Sequence, residues 1–235
     1  MSCESAGGPH LCPLITMSFI DFLRGIRPAL VSDAFKSIER MLELGEQMFV
    51  ASTGRLWDNE VIDLNLKEMD DEIDVCEQRL RRSVLEHLTL DPNRELVFSL
   101  KLLTIVGEAE RIGDNAKAIS KLADLAHAPR MGDHLEPIRD VRNRILSSFE
   151  RIKLGFIGGD QREAEELMRG HEKLKKDIAS LIKEIANMPG LTPNEAVVLA
   201  MGIRMMSRVN SHLANIASTV VVPFDKLRRA PAWDE

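Results

Sequence analysis

Apolar residues recur every three or four positions along most of the chain, which is the spacing of one helix face rather than of a strand. Six segments show this period, and we expect one helix for each. The first helix should span about 32–52, the second should start near Asp58 as its N-cap, and the third should span roughly 93–126. The inward positions of the second helix are Ile62, Leu66, Met69, Ile73, Cys76 and Leu80. The pattern predicts an all-α protein.

Capping signals mark the starts of the fifth and sixth helices. Asp160 and Glu163 have the spacing of a capping box, in which each side chain accepts a hydrogen bond from an exposed backbone N–H. Thr192 and Glu195 have the same spacing, and Pro193 stands at the first helical position, where its missing N–H has no cost. We therefore expect one helix to begin directly after Asp160 and another directly after Thr192.

The second half of the chain repeats the pattern of the first. Helices three and six superpose in sequence at an offset of 97 residues, which places ERIGDNAKAI (110–119) on SRVNSHLANI (207–216). Helices two and five superpose at an offset of 101. Internal repetition of this kind is best explained by two tandem three-helix repeats that form a six-helix bundle. We place the first repeat at 31–127 and the second at 128–226.

Charge narrows the possible functions. The formal net charge is −6, which gives no electrostatic support to a general nucleic-acid-binding role. Residues 31–126 contain 20 Asp and Glu against 12 Lys and Arg, whereas residues 127–235 contain 15 against 17. An acidic half followed by a slightly basic half indicates that the two halves have different partners or ligands.

The ends of the chain and its cysteines bear on where the protein acts. Residues 1–30 are expected to form a leader, disordered over 1–16, and residues 227–235 a frayed tail. No apolar run approaches the ~20 residues that cross a bilayer, and the three cysteines have neither metal-site nor disulfide spacing. We expect a cytoplasmic protein in which Cys76 packs as a small apolar residue.

Two segments resemble the signature of a known family. ERIGDNAKAI (110–119) resembles the E-R-I-G-D-H-A-x-N-I signature of PhoU proteins, and SHLANIA (211–217) resembles the end of the same signature. The resemblance extends over about 31–226. It implies a non-enzymatic, cytoplasmic negative regulator that mediates between a phosphate ABC transporter and a sensor histidine kinase. It also implies a homodimer that contacts the membrane only through its partners, and a divalent or iron cation held by E-x-x-x-D carboxylates.

Four carboxylates are candidates for such a cation site in the first repeat. Glu110 and Asp114 lie one helical turn apart and continue a leucine seam, so we expect them to be partly buried at a helix contact. Asp70 and Asp74, again one turn apart, are the facing candidates on the second helix. Clustered carboxylates need a positive charge, and a hard cation supplies it through oxygen ligands. The predicted metal ligands are Glu110, Asp114, Asp70 and Asp74, with Glu108 and Glu68 at the edges.

A plainer interpretation stays open beside the metal site. Glu110 and Asp114 would pair with basic side chains such as Lys117 or Arg111, and the charges of the second helix would form a solvated face. The chain would then be an adaptor without a metal. Two further hypotheses are a helical protein whose main function is to bind the metal, and an accessory module of another phosphate or ion transporter.

The second repeat lacks the acidic set, so we expect at most one metal site. At the equivalent positions it has Ser207, Ser211, His171 and Lys175. This set has no carboxylate to hold a hard cation, although a basic site of this kind suits an anion such as phosphate. His171 and His212 are expected to be polar interior residues with hydrogen-bond partners.

The remaining features favour a binding protein over an enzyme. Gly107 and Gly113 in the third helix are expected to allow close helix approach, since glycine costs helix stability. No histidine has the Glu-x-x-His spacing of a di-iron site. No phosphate-cradling glycine loop or hydrolase nucleophile motif is present in the sequence either.

Overall fold

Six α-helices make up most of the protein in the computed structural model, which describes residues 29–90 and 96–229. The helices are α1 (Ala29–Thr53), α2 (Leu66–Leu90), α3 (Leu96–Ala123), α4 (Glu136–Ile152), α5 (Gln161–Ala186) and α6 (Pro193–Val221). These residues contain no β-strand, so the predicted all-α class is confirmed. Most of the expected leader, with its disordered part over 1–16, lies outside the described residues, as does the end of the tail.

The helices pack as two groups of three that meet along their last members. Helices α1, α2 and α3 pack on one another, and so do α4, α5 and α6, while the most extensive contact of all joins α3 to α6. The two predicted three-helix repeats in one bundle are thus confirmed, and the boundaries at residues 127 and 128 stay a prediction. Among the described helices, none is long and apolar enough to cross a membrane.

Both repeats end their first helix in the same unusual way. Helix α1 continues without a break into a five-residue π-helical turn, Gly54–Asp58, and α4 continues into another, Lys153–Ile157. Each turn buries one large aromatic side chain completely, Trp57 in the first and Phe156 in the second. Single π-turns are rare and tend to be kept where they position a particular side chain. Their recurrence supports the duplication inferred from the sequence.

The expected start of the second helix near Asp58 is wrong. Helix α2 begins at Leu66, and Asp58 is the last residue of the first π-turn. Its carboxylate accepts hydrogen bonds from Arg139 and Arg142 of α4, with 2.8 Å from Arg139 Nε. Burial alone would raise the pKa of Asp58, but these two guanidinium groups hold it below its usual value. Asp58 therefore links the two repeats instead of capping a helix.

One of the two predicted capping boxes is complete. At the start of α6, Thr192 N–H donates to Glu195 Oε2 at 2.9 Å, and Glu195 N–H donates to Thr192 Oγ1 at 3.2 Å. At the start of α5, Asp160 accepts from a backbone N–H, but its own N–H donates to the carbonyl of Leu154 in the second π-turn. Because that N–H is already satisfied, Glu163 is left to bind Arg151 at 2.6 Å.

The two glycines of α3 have different roles. A Cβ on Gly113 would lie 2.8 Å from Ile73 Cδ1, so this glycine does allow the close approach of α2 that we expected. A Cβ on Gly107 would meet nothing closer than a guanidinium nitrogen of Arg81 at 3.9 Å, so the same expectation is wrong there. Cys76 is buried within the apolar core, as predicted.

Candidate functional site

The four carboxylates predicted as metal ligands lie in one neighbourhood, between α2 and α3. Lys117 Nζ is 3.1 Å from Asp114 Oδ1 and also donates to Asp70 Oδ2, which ties the two helices together. Asp74 is largely exposed. Partial desolvation of its carboxylate and the negative charge of Asp70 together raise its pKa. Glu110 shares a hydrogen bond with Asp114. Asp70 and Asp114 thus share Lys117, and Glu110 adjoins Asp114, while the assignment of the four carboxylates as metal ligands stays a prediction.

Lys117 provides the positive charge that this acidic cluster requires. Its ammonium group contacts Asp70 and Asp114 at once, as the plainer interpretation expects. Within residues 29–90 and 96–229, no three Asp, Glu, His or Cys side chains are arranged to hold a metal ion. The residues as placed do not fit a metal ion, because an ammonium group lies where a cation would have to bind. Metal binding stays a prediction, and it requires Lys117 to move away.

Glu110 is the member of this cluster with the most perturbed ionisation. Its burial, its hydrogen bond with Asp114 and the negative charges of Asp114 and Glu77 together raise its pKa to about 7. The side chain of Asp114 is 52% exposed, more than the expected partial burial. Near neutral pH the Glu110 carboxyl is therefore partly protonated, and the cluster carries less negative charge than it would with all four carboxyl groups ionised.

The raised pKa of Glu110 makes stability depend on pH in a definite direction. The folded state holds a proton that the unfolded chain releases near pH 4.5, so the stabilisation is full below pH 4.5 and is lost as the pH rises through 7. After solvent screening we expect about 1 kcal/mol of stability to be lost over this window. Glu110→Gln should remove that part of the pH dependence in urea titrations at pH 5 and pH 8. An unchanged pH dependence in the variant would contradict the assignment.

The metal hypothesis predicts the metal content of the purified protein. If Glu110 and Asp114 are ligands, the double variant Glu110→Ala/Asp114→Ala should lose the iron or divalent metal that the wild type holds, because both carboxylates of the E-x-x-x-D pair are gone. Inductively coupled plasma mass spectrometry measures this directly. Glu86, exposed on α2 and outside the predicted site, supplies the control variant Glu86→Ala, which should keep the metal. Equal metal content in all three proteins would remove the assignment.

A second buried polar site was not recognised in the sequence. Glu108 is only 1% exposed and lies between α3 and α6. Its Oε2 accepts from His212 Nδ1 and from Asn215 Nδ2, each at 2.8 Å, and its Oε1 accepts from Arg228 at 2.5 Å. Burial favours the protonated acid, but these donors outweigh it and hold the pKa of Glu108 below its usual value. The carboxylate is therefore a charged link between the repeats and the C-terminal segment.

Glu108, expected at the edge of the metal site, instead faces α6, where it binds His212 and Asn215. The available signal was its register: Glu108 lies three residues after Ile105 and four before Ile112, both fully buried. A carboxylate at an interior position needs donors on the facing helix. The expected frayed tail is wrong at Arg228, whose guanidinium binds this carboxylate.

His171 and His212 of the second repeat both have the predicted interior role. His171 Nδ1 accepts a hydrogen bond from Asn210 Nδ2 at 3.1 Å, and burial lowers the pKa of its ring. His212 binds Glu108, as described above. The two histidines therefore have separate partners on α6 and α3 and do not form a facing pair.

The second repeat also has a polar cleft between α5, α6 and the C-terminal segment. Its volume is about 120 Å³. The polar residues that line it are His171, Glu172, Lys175, Asn215, Ser218, Arg228 and Arg229. The cleft therefore combines side chains from three parts of the second half of the chain.

Comparison with known proteins agrees with this geometry. The PhoU domain family matches residues 33–123, which comprise nearly all of α1 to α3. The crystal structure of PhoU from Pseudomonas aeruginosa has a TM-score of 0.72 at 19% sequence identity, covering 82% of this chain and 95% of that one. The phosphate transport system regulatory protein PhoU from Streptococcus pneumoniae has a TM-score of 0.66 at 16% identity, covering 81% and 91%. No curated protein sequence matches the chain significantly.

The described residues form a helical bundle of two three-helix repeats, and the acidic E-x-x-x-D pair lies in the first of them. Residues 33–123 match the PhoU domain, and the described part of the chain shares the fold of the two solved PhoU structures.

Proposed function

We propose that this protein is a PhoU-type regulator of phosphate uptake and phosphate-starvation signalling. It acts without catalysis, as an adaptor between a phosphate ABC transporter and a sensor histidine kinase in the cytoplasm. The observation that carries the proposal is the PhoU domain match over residues 33–123. The fold likeness extends it to the second repeat, because each of the two PhoU structures is covered over more than nine tenths of its length.

An adaptor that joins two partners requires two surfaces held in a fixed relation, and the contacts between the repeats favour such rigidity. Asp58 of the first repeat binds two arginines of α4, Glu46 of α1 binds Lys153 of the second π-turn, and Phe35 stacks on Phe156 with 5.0 Å between ring centroids. Polar and aromatic contacts of this kind resist sliding of one repeat past the other. The halves also differ in net charge, which suits different partners.

Deletion of the gene tests the proposal. A negative regulator predicts constitutive expression of phosphate-starvation genes in medium with ample phosphate, and the wild-type gene supplied on a plasmid should restore repression. Cross-linking in cells should capture the transporter and the kinase with the protein. Unchanged repression after deletion would refute the adaptor role, and cross-links to another ion transporter alone would favour the accessory-module hypothesis.

The proposal includes assembly as a homodimer. Size-exclusion chromatography with multi-angle light scattering should then give twice the chain mass of 26.4 kDa. A mass equal to that of one chain across the accessible concentration range would contradict the dimer while leaving the signalling role to the deletion experiment.

A further inference from the structure

The second repeat has its polar cleft at the place where the first repeat has its acidic cluster. At the offset of 101 residues that aligns α2 with α5, His171 corresponds to Asp70 and Lys175 to Asp74. Both His171 and Lys175 line the cleft. The same position in the two repeats therefore presents opposite charge, and the ligand preferences of the two positions should be opposite as well.

Positive charge exceeds negative charge around the cleft. Lys175, Arg228 and Arg229 are its basic residues, against Glu172 in its lining and the buried Glu108 that pairs with Arg228. Lys175 Nζ and Glu172 Oε2 are 3.9 Å apart with both side chains largely exposed, so this ion pair is weak. Arg229 is exposed and forms no ion pair with another residue in the described part of the chain. Lys175 and Arg229 thus have charge available for a ligand.

Arg228 is fixed at one wall of the cleft. Its backbone is in the left-handed region at φ 64°, where a non-glycine residue is held at a cost of about 1 kcal/mol or more. Its N–H donates to Ser218 Oγ at 3.2 Å, and its guanidinium donates to Glu108. These contacts offset the cost and place the guanidinium in advance, which reduces the entropy that a ligand would have to overcome.

His171 adds an uncharged donor to the lining. Because Asn210 donates to its Nδ1, the neutral ring carries its proton on Nε2. Asn215 lines the cleft from the facing helix, next to the buried carboxylate that its amide binds. Neutral donors beside two or three cations are typical of sites that bind a multiply charged oxyanion.

We propose that this cleft is a binding site for a small tetrahedral oxyanion of the phosphate class, held by Lys175, Arg228 and Arg229. The volume of about 120 Å³ has room for an ion with five non-hydrogen atoms. Arginine binds phosphate oxygens with paired N–H donors, and lysine adds a mobile point charge. The proposal stands on the cleft alone and does not depend on the signalling role, so either one can fail without the other.

Calorimetric titration of the full chain with inorganic phosphate, and separately with glycerol 3-phosphate, tests the site. Lys175→Gln and Arg229→Gln should each weaken binding about tenfold, the loss of one charge-assisted hydrogen bond. Arg228 is left unchanged because it also binds Glu108. Lys176→Gln is the matched control: it removes the same charge from the neighbouring exposed position of α5, which does not line the cleft. We expect its effect to be below about twofold.

Each result decides the question. Saturable binding of either probe, weakened by the two cleft variants and not by Lys176→Gln, supports the site. The probe that binds more tightly then tells whether the physiological ligand is the free ion or a phosphate ester. No saturable binding of either probe would overturn the proposal. Equal affinities in the cleft variants and the control would also overturn it, since binding would then reflect general charge alone.

Discussion

Replacing Trp57 with alanine is expected to cost about 4 kcal/mol of folding free energy. Trp57 is fully buried, and its Nε1–H donates to Met206 Sδ of α6 at 3.4 Å. The indole thus extends from the π-turn of the first repeat into the second repeat, and its removal leaves a cavity between them. For a chain of this size the melting temperature should fall by about 10 °C. Urea unfolding followed by circular dichroism measures the change, and a loss below about 1 kcal/mol would contradict this role of Trp57.

Gly202 of α6 supplies the matching test of the same contact. A Cβ at this position would lie 2.6 Å from Trp57 Cζ2 and 2.7 Å from Leu56 Cδ2, so Gly202→Ala should destabilise the wild type by about 2 kcal/mol. In the Trp57→Ala background the contact with the indole is gone and the Leu56 side chain can shift into the cavity, so the cost of the added methyl group should fall well below its wild-type value. The double-mutant cycle should therefore show strong coupling. Simple additivity would mean that the two residues do not pack as the structure shows.

The π-turn that contains Trp57 is the part of the fold that could not be predicted from the sequence. A period of three to four residues predicts helices well, and it placed α1 and α3 within a few residues of their observed bounds. The same period predicted that Ile62 is an inward position of the second helix, although α2 begins at Leu66. A π-turn changes the residues per turn for a single turn only, which a pattern of apolar positions does not record. Asp58 was therefore assigned as a cap although it ends the preceding turn.

The site could be predicted in part for a similar reason. Spacing along one helix shows that Asp114 faces the same way as Glu110. The place of Asp70 near the inward residue Ile73 made it the facing candidate on the second helix, and the structure brings these three carboxylates together. The partner of a side chain on another helix depends on rotamers and on the rotation of that helix. For this reason both Lys117 and a metal ion remained possible counter-charges. Glu108 was placed at the edge of the metal site although it faces α6, because its donors come from residues more than 100 positions away.

Removal of the Glu108 carboxylate is the second change for which we expect a large effect. Glu108→Ala leaves the donors of His212 and Asn215 between α3 and α6 without their acceptor, and it releases Arg228. Breaking a buried charged network in this way costs about 3 kcal/mol, less than for a fully enclosed pair because the Arg228 side chain is half exposed. Glu108→Gln keeps the shape and part of the hydrogen bonding, so its cost should be smaller, about 1 to 2 kcal/mol.

Limited proteolysis separates this network from a general loss of core packing. Arg228 and Arg229 are trypsin sites in the C-terminal segment, and Glu108 of α3 holds the Arg228 guanidinium. Without denaturant, where the helices stay intact, Glu108→Ala should therefore accelerate tryptic cleavage after Arg228 and Arg229. Trp57→Ala should not accelerate this cleavage when the two variants are compared at equal loss of stability. The exposed Glu39 on α1 gives the control, since Glu39→Ala should change stability by less than about 0.5 kcal/mol. If cleavage after Arg228 proceeds at the wild-type rate in Glu108→Ala, the C-terminal segment is held by other contacts, and the cleft that it lines does not depend on the buried carboxylate.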